Sequence, residues 1–208
     1  MIIHRPLDHI FAARSQVAVL RVLLDTAQGL TGREIARQAG MNHQACLQSL
    51  TRLEILGLVR RQRGGSTHLF ALNREHELVA KGILPLLRLE RDYVNQIIRA
   101  LKRDFEDVIL VGAIFGSVAR REETPESDLD VLLVVASAAE REAVHARLQE
   151  SAPALWRRFG VRLSPVVLTK AEFKRRRVKK DPLLVSLIED AVWFVETGVK
   201  DLMNVKTK

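Results

Sequence analysis

Apolar and polar positions follow two different grammars along this chain. Over residues 7–72 the pattern predicts short helices and then a hairpin. Val17, Leu20, Leu23 and Leu24 recur at helical spacing within residues 15–25. Gly29 ends that helix. Thr31-Gly32-Arg33-Glu34 has the form of a capping box and opens another, with Ile35 and Ala39 on its buried side. Gly40 turns the chain, and Asn42 caps a third helix in which Cys46, Leu50 and Leu53 line one face before Gly57 stops it. Residues 58–63 and 67–72, joined by Gly64-Gly65-Ser66, read as strand, turn and strand.

Residues 75–104 read as mostly helical, interrupted or kinked at Pro85, where a backbone donor is missing. Leu86, Leu87, Leu89, Tyr93, Ile97, Ile98 and Leu101 form an apolar stripe along that stretch, a packing face or a dimer seam. From Val108 the grammar becomes strand and helix in alternation. Residues 108–115 and 131–135 read as buried strands, 138–159 as a helix and 161–168 as a third strand. Thr169-Lys170-Ala171-Glu172 is a second capping box opening a basic helix, and residues 191–195 are expected to close the sheet. The fold class predicted is α+β, in three parts: 1–74, a helical linker over 75–104, and an α/β domain with a small mixed sheet over 105–208.

Composition narrows the class. The chain has 208 residues, 47% hydrophobic and 28% charged, which is globular usage and excludes disorder as its main character. No apolar run reaches the ~18 residues that cross a bilayer, so no membrane partner is expected. Met1 to Pro6 runs into charged sequence without a secretory pattern, so a cytoplasmic location is expected. A single cysteine, Cys46, excludes an internal disulfide and a Cys-rich zinc site. The net charge is +8, and its distribution is uneven. Residues 1–104 hold sixteen basic and nine acidic side chains, against seventeen and sixteen beyond. A basic half beside a nearly neutral one predicts that the first half meets a polyanion.

The third predicted helix turns His43, Gln44, Gln48 and Arg52 away from its apolar face. Glutamine can pair bidentately with adenine, and arginine with guanine or a phosphate. Arg60, Arg61 and Arg63 in the hairpin are placed to neutralise backbone phosphates. The span "LTGREIARQAGMNHQACLQSLTRLEILGLVRR" resembles the winged helix-turn-helix domain of bacterial and archaeal transcription regulators. That resemblance implies double-stranded DNA as partner, with a homodimer to match symmetric operators. Use of the fold as a protein–protein module is the alternative.

The second half holds an ordered signature. A buried strand feeds Gly116-Ser117, a turn whose amides and hydroxyl suit a phosphate. Arg120 follows one helical turn on and can add positive charge. Ser127-Asp128-Leu129-Asp130 opens the next strand, and carboxylates at i and i+2 of an extended chain point to the same side. Oxygen ligands without His or Cys favour Mg²⁺ or Mn²⁺. The whole resembles the minimal nucleotidyltransferases of the DNA polymerase beta superfamily, whose pattern is G-S-x-A-R-G…S-D-x-D. The resemblance implies that Gly116, Ser117, Arg120 and Ser127 meet a nucleoside triphosphate. It also implies that Asp128 and Asp130 are the catalytic metal ligands.

Two positions depart from that pattern. Arg121 stands where the family has glycine. The superfamily's third carboxylate, a metal ligand and general base on a later strand, has no counterpart in 161–168, where Ser164 cannot act as a base near neutral pH. Two readings follow: a DNA-binding regulator with a Mg²⁺-dependent nucleotidyltransferase domain, or a non-catalytic transcription factor whose degenerate domain is a sensor or dimerisation scaffold. Lys170, Lys174, Arg175, Arg176, Arg177, Lys179 and Lys180 form a further basic cluster, which suits either a polyanion or a solvated helix balanced by Glu189 and Asp190.

Overall fold

Capping residues decide where the N-terminal helices begin. The structure is a computed structural model describing residues 3–65, 67–199 and 202; Met1 and Ile2, and Ser66 of the expected hairpin turn, lie outside the described residues. Helices α1 (Leu7–Ile10) and α2 (Arg14–Leu23) precede a two-residue strand β1 (Leu30–Thr31) and helix α3 (Gly32–Gln38). Thr31 and Glu34 close the capping box reciprocally: the Thr31 hydroxyl accepts from the Glu34 N–H, and the Glu34 carboxylate accepts from the Thr31 N–H at 2.8 Å. Helix α4 (His43–Ile55) starts where the Asn42 side chain accepts from the Gln44 N–H at 2.7 Å. It ends at Gly57, whose φ of +76° suits glycine.

Strands β2 (Val59–Gly64) and β3 (Thr67–Leu72) pair antiparallel, and β1 adds to the far side of β3 in the order β1-β3-β2. Leu20, Leu23, Ile35, Cys46, Leu50 and Leu53 are sealed beneath this sheet. Each fully buried leucine contributes roughly 1.5–3 kcal/mol. Burial pushes the Cys46 thiol pKa up, and its Sγ lies 3.6 Å from the Gly32 carbonyl, a core position remote from redox chemistry. On α2 and α3 the buried faces sit slightly off the expected register: Val19 and Ala36 are buried, whereas Val17 and Ala39 are half-buried.

The linker is helical, with an irregularity just before Pro85: a π-helical turn at Val79–Ile83 leads without a break into α5 (Leu84–Phe105), and the Leu84 N–H donates to the Val79 carbonyl. The chain divides into units of residues 1–92 and 93–208. Leu84 and Leu87 of α5 belong to the first core; Ile97, Leu101 and Phe105 belong to the second.

The second unit is built on strands β4 (Val111–Phe115), β5 (Leu129–Val135), β6 (Leu163–Thr169) and β7 (Val192–Val195), in the order β6-β5-β4-β7. β5 pairs antiparallel with β4 and parallel with β6, so the sheet is mixed. A short helix α6 (Gly116–Arg120) follows β4, α7 (Ala138–Phe159) follows β5, and α8 (Lys170–Val178) and α9 (Pro182–Asp190) follow β6. Leu129, Val131, Leu133 and Val135 pack into a core with α7 and the end of α5. Leu132 and Val134 point the other way, into a core with Phe173 of α8 and Leu184 and Leu187 of α9. Both faces of the central strand are therefore covered, which explains its unbroken apolar run. The Tyr93 hydroxyl donates to the Phe159 carbonyl at 2.7 Å, joining α5 to α7. The molecule is of the α+β class with small sheets, and among the described residues no helix is long and apolar enough to cross a membrane.

Candidate functional site

The alternation along β5 decides where its acidic residues project. Asp130 is in phase with Leu132 and Val134, and Asp128 lies two residues earlier, just before the strand begins. Asp128 is exposed and Asp130 half-buried, at the end of the sheet where β4 delivers its chain. Phe115, the last residue of β4, pairs with Asp130. Gly116 comes next, with φ +72°, and a Cβ built there would overlap Asp130 Oδ2. Glycine is favoured on two grounds, its backbone angle and the carboxylate lying against it. The chain therefore brings Gly116, Ser117 and Asp130 together. Ser117 is half-buried at the start of α6, and its carbonyl accepts from the Glu122 N–H at 2.9 Å.

Arg120 is drawn into a different network. Its Nε donates to Glu122 at 2.9 Å and its Nη1 to Asp190 of α9 at 3.4 Å, and these two hydrogen bonds raise its pKa above the ordinary arginine value. Ser127 staples the loop before β5: its hydroxyl accepts from the Thr124 N–H at 3.0 Å, and its own N–H donates to the Thr124 carbonyl. That closed turn sets the position of Asp128.

Arg121 occupies the left-handed region, φ 60° and ψ 39°, as the C-cap of α6. This explains the glycine at this point of the family pattern, because side chains other than glycine are strained there. Arg121→Gly is expected to stabilise the protein by about 1 kcal/mol, read as a higher urea midpoint. A lower midpoint would mean that the arginine side chain makes a compensating contact.

Strand β6 supplies the site's other edge. In the parallel register Asp130 pairs with Ser164, and Leu129 with Leu163. The Leu129 N–H donates to the Arg162 carbonyl at 2.7 Å, which carries the pairing one residue further. Arg162 then projects toward Asp128, with Nε 2.9 Å from Oδ1, while its Nη2 donates to the Glu126 carbonyl at 2.8 Å. Both side chains are about half exposed, so the ion pair contributes at most about 1 kcal/mol. Sequence reasoning missed Arg162 because it examined this strand only for acids. The available signal was its spacing, two residues before Ser164 and so on the same face. Glu172 is held in its own capping box by Thr169 and also pairs with Arg141, which removes it from the site.

Two carboxylates with oxygen donors fit one hard divalent cation shared with phosphate oxygens. Among the described residues no group of three or more His, Cys, Asp or Glu side chains converges on a common point.

In the first unit, His43, Gln44, Gln48, Arg52, Arg60, Arg61 and Arg63 are all exposed. They fall into separate groups. Gln44, Gln48 and Arg52 form an i, i+4, i+8 row on α4. His43 lies with Leu47, Thr51 and Glu54 on a neighbouring face, lining a groove of about 640 Å³ between α4 and the hairpin. Arg60 pairs with Glu75 at 2.6 Å and Arg61 with Glu54 at 3.1 Å. In the basic cluster, Arg177 donates to the Leu202 carbonyl and Arg176 lies 3.8 Å from Asp181.

A glycine turn packed against the Asp130 carboxylate, with Asp128 two residues before it, lies where the inner strands β4 and β5 of the mixed sheet meet. The sequence matches the family described as Nucleotidyltransferase domain over residues 94–199, just over half of the chain, and the chain belongs to that family. No curated protein matches it.

Proposed function

We propose that this chain is a DNA-binding transcription regulator whose nucleotidyltransferase domain binds a nucleoside triphosphate with Mg²⁺ or Mn²⁺. The observation that carries the nucleotide assignment is the packing of the Asp130 carboxylate on Gly116. It sets a carboxylate against the turn, so phosphate and cation would be held side by side. Asp128 and Asp130 would hold the cation, which when bound offsets the triphosphate's negative charge. Ser117 and the Gly116 turn would orient the phosphates. Arg120 and Ser127 would position the surrounding loop.

The DNA assignment is supported by the exposed Gln44, Gln48 and Arg52 row beside a hairpin bearing three arginines, which is how a winged helix-turn-helix would address the major groove and the flanking phosphates. The pairs of Arg60 and Arg61 are exposed and weak enough to exchange for phosphate. A fluorescein-labelled mixed-sequence 30-base-pair duplex tests this by anisotropy. Affinity is expected to fall by orders of magnitude between ~50 and 200 mM salt, and Arg63→Ala to lower the salt slope by about one. Absent or salt-indifferent binding would refute the DNA role.

Transfer of a nucleotidyl group also needs a proton acceptor for the attacking hydroxyl. The residues beside the two carboxylates are Ser164 of β6 and Arg162 just before it, and neither accepts a proton near neutral pH. This favours a second reading of the same domain, as a sensor or dimerisation scaffold that responds to nucleotide without turnover.

A further inference from the structure

Arg162 is a cation already held at one of the two carboxylates. It is fixed at two points, Asp128 Oδ1 and the Glu126 carbonyl, and it stays half exposed. It stands immediately before β6, the strand where the superfamily pattern puts an acid. Charge balance makes the exchange meaningful. Three carboxylates with two divalent ions sum to one positive charge; two carboxylates with one divalent ion and one guanidinium reach the same sum. Guanidinium also presents a planar fork of donors suited to phosphate oxygens.

We propose that Arg162 supplies the second positive centre of this site, so that a nucleoside triphosphate is bound by one divalent ion together with the Arg162 guanidinium. Without ligand, Arg162 competes with the divalent ion for Asp128. With ligand, it turns its free donors to the phosphates while the ion shares the carboxylates. Arg162 thus weakens binding of the bare ion and strengthens binding of the nucleotide. A purely structural residue would shift both in the same direction.

The inference rests on the nucleotide-binding reading above, and the experiment separates the two. The full chain is titrated with Mn²⁺ by electron paramagnetic resonance, alone and with α,β-methylene nucleoside triphosphates of each base, and nucleotide affinity is measured by calorimetry. One Mn²⁺ per chain is expected in the nucleotide complex. Arg162→Ala is expected to lose about ten- to a hundredfold in nucleotide affinity, the worth of a hydrogen bond to a charged group, while binding Mn²⁺ alone more tightly. Arg162→Lys should recover part of the nucleotide affinity. Arg162→Ala/Ser164→Asp, which restores an acid to the strand and removes the guanidinium, should take up a second Mn²⁺. Two Mn²⁺ in the wild-type complex, or unchanged nucleotide affinity in Arg162→Ala, would overturn the role of Arg162 while leaving the nucleotide site standing. If the wild-type chain binds none of the nucleotides, the nucleotide reading fails and this inference with it.

Discussion

Gly116→Ala is expected to destabilise the second unit and to remove nucleotide binding. Two costs combine. The backbone at φ +72° disfavours any residue with a Cβ, and the added methyl would overlap the Asp130 carboxylate. Gly160 provides the control. It has φ +66°, and a Cβ there meets nothing within 4 Å. Gly160→Ala should therefore cost only the conformational penalty, about 1 kcal/mol, with nucleotide affinity unchanged. Gly116→Ala should cost a further 1–3 kcal/mol or so, the scale of a strained functional contact. Urea denaturation of both variants separates the terms. Equal destabilisation, with nucleotide affinity intact in both, would mean that the carboxylate does not depend on the glycine.

Much of the second unit was legible because its elements carry strong local signals. Helix α7 spans the predicted residues 138–159 because Ser137 accepts from the Glu140 N–H at one end and Gly160 takes a left-handed angle at the other. The apolar runs of β4 and β5 announce strands buried on both faces. What escaped notice depends on contacts distant in sequence. Two-residue β1 exists only because Leu30 and Thr31 pair with Phe70 and Leu69. Helix α9 opens on Pro182, a first-turn proline that could have been recognised. Pro85 announces an irregularity in the linker helix, but the pattern does not reveal that it takes the form of a π turn at Val79–Ile83.

The site divides along the same line. The i, i+2 spacing of Asp128 and Asp130 predicts a shared face, and Asp128 stands one residue before β5 begins. That Gly116 packs on Asp130 depends on the β4–β5 register, and that Arg162 meets Asp128 depends on the β5–β6 register, which no local pattern encodes. Arg120 and Asp190 lie seventy residues apart and meet only through folding.

The second large effect expected is in Asp128→Asn/Asp130→Asn, which keeps the shape of both side chains and removes their charge. The pair is only partly buried, and the lost Arg162 contact is exposed, so the fold should persist. The central claim is that these two carboxylates grip a cation carrying a triphosphate. Its most direct measurement is calorimetric titration of the wild-type and doubly substituted chains with a non-hydrolysable nucleoside triphosphate, in Mg²⁺ and in EDTA. The account predicts Mg²⁺-dependent binding by the wild type and at least about a hundredfold weaker binding by the variant, as expected for direct ligands when even outer partners are worth 10–100-fold. The variant in Mg²⁺ should match the wild type in EDTA. Equal affinity of the two chains in Mg²⁺ would contradict it.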